Sequence, residues 1–141
     1  MTPYAKASDQ YLVQRVMGAS AEQLVALLLE GGQRFIAQAT HAIARKDYAA
    51  KGQAINRVSS ILEELTVHLD LEGGGELAQN LLRLYDWWGR EVLNASSRLD
   101  TTRLEVVSRQ MGDLRQSWEQ SHQQRIGVAR TEGFKAGDLV G

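Results

Sequence analysis

The residues that could do chemistry are few and poorly matched to one another. The three histidines, His41, His68 and His122, lie far apart in the chain, and the paired Glu-x-x-His motifs of di-metal bundle sites are absent. Glu64 precedes His68 by four, which on a helix makes a neighbouring pair on one face rather than a ligand set. Glu63, Glu64, Asp70, Glu72 and Glu76 gather around three consecutive glycines, Gly73 to Gly75. Carboxylates on an exposed turn lack the apolar burial that tunes a general acid. The glycine run is no phosphate cradle either, because it lacks the following Lys and Ser or Thr and is flanked by Glu72 and Glu76, which repel phosphate. With no cysteine, disulfides and thiolate metal sites are excluded. No catalytic constellation, metal site or cofactor is expected, and a non-enzyme is the reading.

Binding chemistry is better represented. Trp87 and Trp88 are adjacent, and neighbouring helix positions point about 100° apart, so both cannot face one narrow core. One belongs inside. The other, with Leu82 and Leu84 off the main seam, widens the apolar face beyond what packing needs. Such a surplus marks an interaction surface, unless a lid of Tyr4, Tyr11 and Val16 covers it.

These residues require helices to position them. The 141-residue chain has one proline, Pro3, and few runs of β-branched or aromatic residues, which favours an all-α domain. Ser20 and Gln23 have capping-box spacing, so a long helix starts near Ala21 and runs to about Lys46. Leu24, Leu28, Gly31, Phe35, Ala39 and Ala42 form one stripe on it, with Val25, Gly32, Ile36 and Ile43 beside. Gly31 and Gly32 each cost about 1 kcal/mol in a helix interior; either close helix packing or a groove floor approached by a partner offsets that. Asp47 caps the next helix, with Tyr48, Ala54 or Ile55, Val58, Leu62, Leu65 and Leu69 on one face. The glycines end it and return the chain antiparallel. A further helix from near Glu76 to about Ser97 carries Leu77, Leu81, Leu84, Tyr85, Trp88 and Val92. Asp100 caps the last, whose Leu104, Val107, Met111, Leu114 and Trp118 make a seam of alternating three- and four-residue steps.

The expected fold is an antiparallel up-down four-helix bundle over residues 19–122. An N-terminal lid helix or segment over 1–18 precedes it, and a flexible tail over 123–141 follows it. The net charge is −1, with Lys and Arg scattered among Asp and Glu, so there is no case for nucleic acid. The longest apolar run, Leu24 to Leu29, is too short to enter and cross a bilayer. The N-terminus lacks a basic region followed by an apolar one, so no signal peptide is read and a cytoplasmic location is expected.

Three blocks resemble the flagellar secretion chaperone S family, the flagellin-specific export chaperones. They are Ala19 to Leu24 followed by the mid-helix glycines; Leu69 to Asp86, which combines Gly-Gly-Glu with Asn80, Leu81 and the Leu84, Tyr85, Asp86 run; and Leu114 to Trp118. Their order and separation match the family over nearly the whole bundle. Ala21 replaces the usual proline after the capping serine, and Gly32 replaces a usual alanine. The resemblance implies a cytoplasmic chaperone that binds the disordered C-terminal segment of flagellin, prevents premature polymerisation and presents the cargo to the cytoplasmic domain of the export-gate membrane protein. On the matching positions it implies a cargo surface, or its support, from Leu27, Leu28, Gly31 and Phe35 on the first long helix and Asn80, Leu81, Leu84, Tyr85 and Trp88 on the third. Tyr4, Tyr11 and Val16 are the lid residues. The alternative is a regulatory or scaffolding bundle that binds another protein or forms a homodimer through the same patch.

Overall fold

The computed structural model describes residues 21–130. Four helices follow in order: α1 (Ala21–Ala44), α2 (Tyr48–Val67), α3 (Gly75–Ser97) and α4 (Thr101–Arg130), with no strand among the described residues. Each packs on its chain neighbours and α4 closes back on α1, giving an up-down-up-down bundle. Ser20 and the three lid residues Tyr4, Tyr11 and Val16 lie outside the described residues.

The two turns at one end of the bundle are built alike. Lys46 and Leu99 adopt left-handed conformations, with φ of 60° and 56°. The next residue in each case donates its amide back across the helix end, Asp47 to Ala42 O at 2.9 Å and Asp100 to Ala95 O at 2.8 Å, closing a Schellman motif. The same aspartates then start the following helix. Asp47 Oδ1 accepts from the Ala50 amide and Asp100 Oδ1 from the Arg103 amide, both at 3.1 Å, which satisfies otherwise free donors of the first turn. Lys51 ties the ends together by donating from Nζ to Ser96 O at 3.1 Å.

The opposite turn is made differently. Asp70 Oδ1 accepts from the Gly73 amide at 2.8 Å, and Asp70 O accepts from the Gly74 amide at 2.7 Å. A Cβ on Gly73 would run into the Asp70 carboxylate, one on Gly74 would sit 2.5 Å from Asp70 O, and Gly75 has φ of +60°. All three glycines are therefore required by the turn itself.

The core contains Val25, Leu29, Ile36 and Ala39 of α1, Ile55, Val58 and Leu65 of α2, Leu81, Tyr85, Trp88 and Val92 of α3, and Leu104, Val107 and Met111 of α4. The innermost line of α1 thus runs through Val25, Leu29, Gly32 and Ile36, while Leu28 and Phe35 are only partly buried. Because α1 is flanked by both α2 and α4, its most buried line bisects the two partners. Two expected core residues are instead outside: Tyr48 is 48% exposed and Leu77 61%. Tyr48 opens α2 before the helix has turned onto α1, and at the start of α3 the small Ala78 takes the inward position in Leu77's place. Leu114 and Trp118 complete the α4 seam as partly buried residues. The helix extends past Trp118 and residue 122 to Arg130, over a stretch, 119–126, without a breaker; the rest of the expected tail, residues 131–141, lies outside the described residues.

Gly31 and Gly32 resolve in favour of packing. A Cβ on Gly32 would stand 2.8 Å from Met111 Sδ, and one on Gly31 3.0 Å from Ile61 Cδ1. Gly112 plays the same part from α4, where a Cβ would lie 2.6 Å from Gln33 Nε2; that nitrogen donates to Ser108 O at 2.9 Å. Small residues on both helices let α1 approach α2 and α4 closely.

An open seam between α2 and α3 as the candidate functional site

The α2–α3 seam is held apart where the α1 seams are closed. Ser59, Leu62, Glu63 and Thr66 form one stripe of α2, and Leu82, Tyr85, Asp86, Gly89, Arg90 and Leu93 face them from α3. Between them lies a groove of about 480 Å³. Its floor is apolar: a Cβ on Gly89 would meet only Leu62 Cδ1, at 3.7 Å, so backbone is accessible there. Its rim is polar, with Glu63 on one side and the Asp86–Arg90 pair, 3.2 Å apart, on the other. Leu93, 54% exposed, stands at one end. An apolar floor with a charged rim suits the apolar face of an amphipathic helix.

Two buried aromatics fix the width of this seam. Trp88 is fully buried and its Nε1 donates to Gln110 Oε1 at 2.8 Å, tying α3 to α4. The Tyr85 ring packs against it with centroids 5.8 Å apart. Tyr85 is 2% exposed. Burial pushes the phenol up to about 12, so it stays a neutral donor at the groove. On the far side of α3, Glu91 accepts a forked pair from Arg103, 2.6 Å from Nε and 2.9 Å from a terminal nitrogen. Those bonds hold the Glu91 carboxyl below the ordinary glutamate range.

The tryptophan pair divides as expected, with Trp88 in the core and Trp87 39% exposed. The other residues singled out from sequence do not form one patch. Leu27, Gly31, Leu81 and Trp88 are buried, and Leu28 and Leu84 are partly buried against the core. Asn80 is exposed and accepts from Arg83 at 3.1 Å. Phe35 lines a separate groove between α1 and α2. Of the residues expected at a cargo surface only Tyr85 lines the α2–α3 groove, where it is joined by Leu82, singled out in the sequence for widening the apolar face. By helical spacing Leu77, Leu84 and Trp87 fall with Glu91 on the α4 side of α3. Gly89 and Leu93 were passed over in the sequence, yet with Leu82 they are spaced by seven and four, a stripe one residue offset from the core line of Leu81, Tyr85, Trp88 and Val92.

Among the described residues no cluster of His, Asp and Glu could hold a metal ion. Glu64 and His68 face each other along α2 at 3.8 Å, both solvated. Glu119 and His122 do have Glu-x-x-His spacing, but no second such motif accompanies them. No described helix is long and apolar enough to cross a membrane.

The family model described as "Flagellar protein FliS" matches residues 4–125, which takes in α1, α2, α3 and most of α4. The flagellar secretion chaperone FliS of Salmonella typhimurium is 35% identical over 106 residues, 74% of this chain and 78% of that protein. The flagellar secretion chaperone FliSB of Pseudomonas aeruginosa is 35% identical over 118 residues, 81% and 94% of the two chains. At greater distance, FliS of Bacillus subtilis is 28% identical over 113 residues, 80% and 84%. A match of this extent over the whole bundle places the chain in the FliS family of flagellar secretion chaperones.

Proposed function

We propose that this bundle is a non-catalytic export chaperone that holds the disordered C-terminal segment of flagellin in the cytoplasm, keeps it from polymerising and delivers it to the flagellar type III export apparatus. The observation that carries the reading is the α2–α3 groove, whose apolar floor is open to a partner backbone at Gly89. A flagellin segment that folds as it binds would lay its apolar face on Leu62, Leu82 and Leu93 and receive a hydrogen bond from Tyr85. Folding on binding combines a large contact with reversible release, which a cargo that must be handed over requires. Leu81, Trp88, Leu27, Gly31 and Leu28 support that surface from within. The N-terminal residues Tyr4, Tyr11 and Val16 cover the apolar face until cargo displaces them, and the loaded chaperone docks on the cytoplasmic domain of the export-gate membrane protein.

Titration calorimetry with a peptide of the partner flagellin's C-terminal segment tests this. Micromolar or tighter binding is expected, weakened about tenfold by Leu93→Asp, a change at an exposed position that leaves the fold intact. Absence of binding at micromolar concentration sinks the proposal. Light scattering separates it from the scaffold reading, in which the same patch binds another protein or mediates a homodimer: that reading requires concentration-dependent mass and indifference to the peptide.

A further inference from the structure

The scattered appearance of the charges does not survive inspection by region. Between residues 34 and 57 the basic residues are Arg34, Arg45, Lys46, Lys51 and Arg57, and the only acidic one is Asp47, whose carboxylate caps α2. Between 58 and 80 there is no Lys or Arg, and Glu63, Glu64, Asp70, Glu72 and Glu76 dominate. In the bundle these stretches occupy opposite ends of the α1–α2 hairpin. The basic end contains the second groove, about 340 Å³, where Phe35 and His41 of α1 and Arg45 of the following turn face Ala50, Ala54 and Arg57 of α2.

We propose that this α1–α2 groove is a second docking site, separate from the α2–α3 groove, for an acidic helical segment of a partner protein. Its floor is made of small residues, Ala50 and Ala54, so a helix can approach closely. Its walls carry two guanidiniums, Arg45 and Arg57, and among the described residues no ion pair engages either. The one acid between residues 34 and 57, Asp47, is committed to its cap. Arg57 stands 5.4 Å from the centre of the Phe35 ring, and Arg34, outside the groove lining, 5.8 Å from it; a guanidinium fork suits bidentate carboxylate binding. Arg45 and Arg57 face the groove from its two sides, so a helix with a carboxylate on each turn of one face meets both. RNA fits less well, because the guanidiniums of Arg34 and Arg57 already occupy the Phe35 ring on which a base would stack. The groove uses a different face and end of α2 from the cargo groove, so both sites can be filled at once.

Fluorescence anisotropy on the full chain tests this with a labelled, helix-forming synthetic peptide bearing Glu on successive turns of one face beside Leu. Its counterpart with Lys for Glu, and a single-stranded RNA oligonucleotide, serve as rivals. The Glu peptide is expected to bind and to weaken with salt. It should lose at least tenfold in affinity to an Arg45→Glu, Arg57→Glu double variant, which gains affinity for the Lys peptide. Circular dichroism monitors folding, and the neutral pair Arg45→Gln and Arg57→Gln replaces the reversals if they unfold the chain. Saturating flagellin peptide should leave the Glu peptide bound. Equal binding of the two peptides, undiminished binding by the variant, or tighter binding of the oligonucleotide overturns the proposal. Displacement by flagellin peptide overturns the separateness of the sites, and failure of flagellin peptide to bind at all leaves this site standing while removing the cargo reading.

Discussion

The seams on either side of α1 and the seam between α2 and α3 use the same helix-compatible residues to opposite ends. At the first, a glycine is matched by a side chain that fills it: Gly32 by Met111, Gly31 by Ile61, Gly112 by Gln33. At the second, Gly89 is matched by nothing closer than Leu62 at 3.7 Å, and the space stays open. A glycine in a helix therefore reports function or packing according to what stands opposite, not according to its own position. The α1 seams are filled where their glycines meet a side chain, and the α2–α3 seam is left open at Gly89.

The largest test of that contrast is Trp88→Ala. Trp88 spaces α3 from the rest of the core and anchors it through Gln110, so its loss should cost about 3–5 kcal/mol in urea unfolding and collapse the difference between the seams. Next, Gly32→Val should destabilise by about 1–3 kcal/mol, because the added carbons meet the fully buried Met111; a neutral result would mean the α1–α4 seam is not closed. Tyr85 supplies a pH test of the open seam. Its folded pKa of about 12 exceeds the unfolded value near 10. Stability is thus fully present below pH 10 and falls as pH rises through 12, by about 3 kcal/mol. Denaturant midpoints measured across that range should decline, and Tyr85→Phe should flatten the decline. The smallest expected effect is the most diagnostic: Gly89→Ala should stabilise by about 0.5–1 kcal/mol through helix propensity while weakening flagellin-peptide binding. Destabilisation there would show the groove floor to be packed after all.

Much of the fold was legible because it depends on local chemistry. Asp47 and Asp100 declare themselves as caps, Leu104, Val107 and Met111 as a seam, and the adjacent tryptophans as residues that must part. The errors arise where a partner helix decides. Leu77 and Ala78 are one residue apart, and only the approach of α3 to its neighbours selects the smaller for the interior. Gly31 and Gly32 admit two readings until Ile61 and Met111 are seen opposite. The candidate site was less legible because its residues sit one position off the core line, where Gly89 looks like a minor flaw in a helix. The charge separation along the α1–α2 hairpin is hidden by a total of −1.

The unlike turns bear on how the chain assembles. The turns at Lys46–Asp47 and Leu99–Asp100 each stop one helix and start the next within a few residues, so the α1–α2 and α3–α4 hairpins can close early from near-neighbour contacts. Closing the ring is another matter, since Gln33 and Ser108, joined by a hydrogen bond, are 75 positions apart; the α1–α4 pairing carries the loop-closure entropy of the molecule and forms late. Once formed, it is released only by global unfolding, and amide protons along α1 should exchange with solvent last, while those around Gly73–Gly75 exchange first.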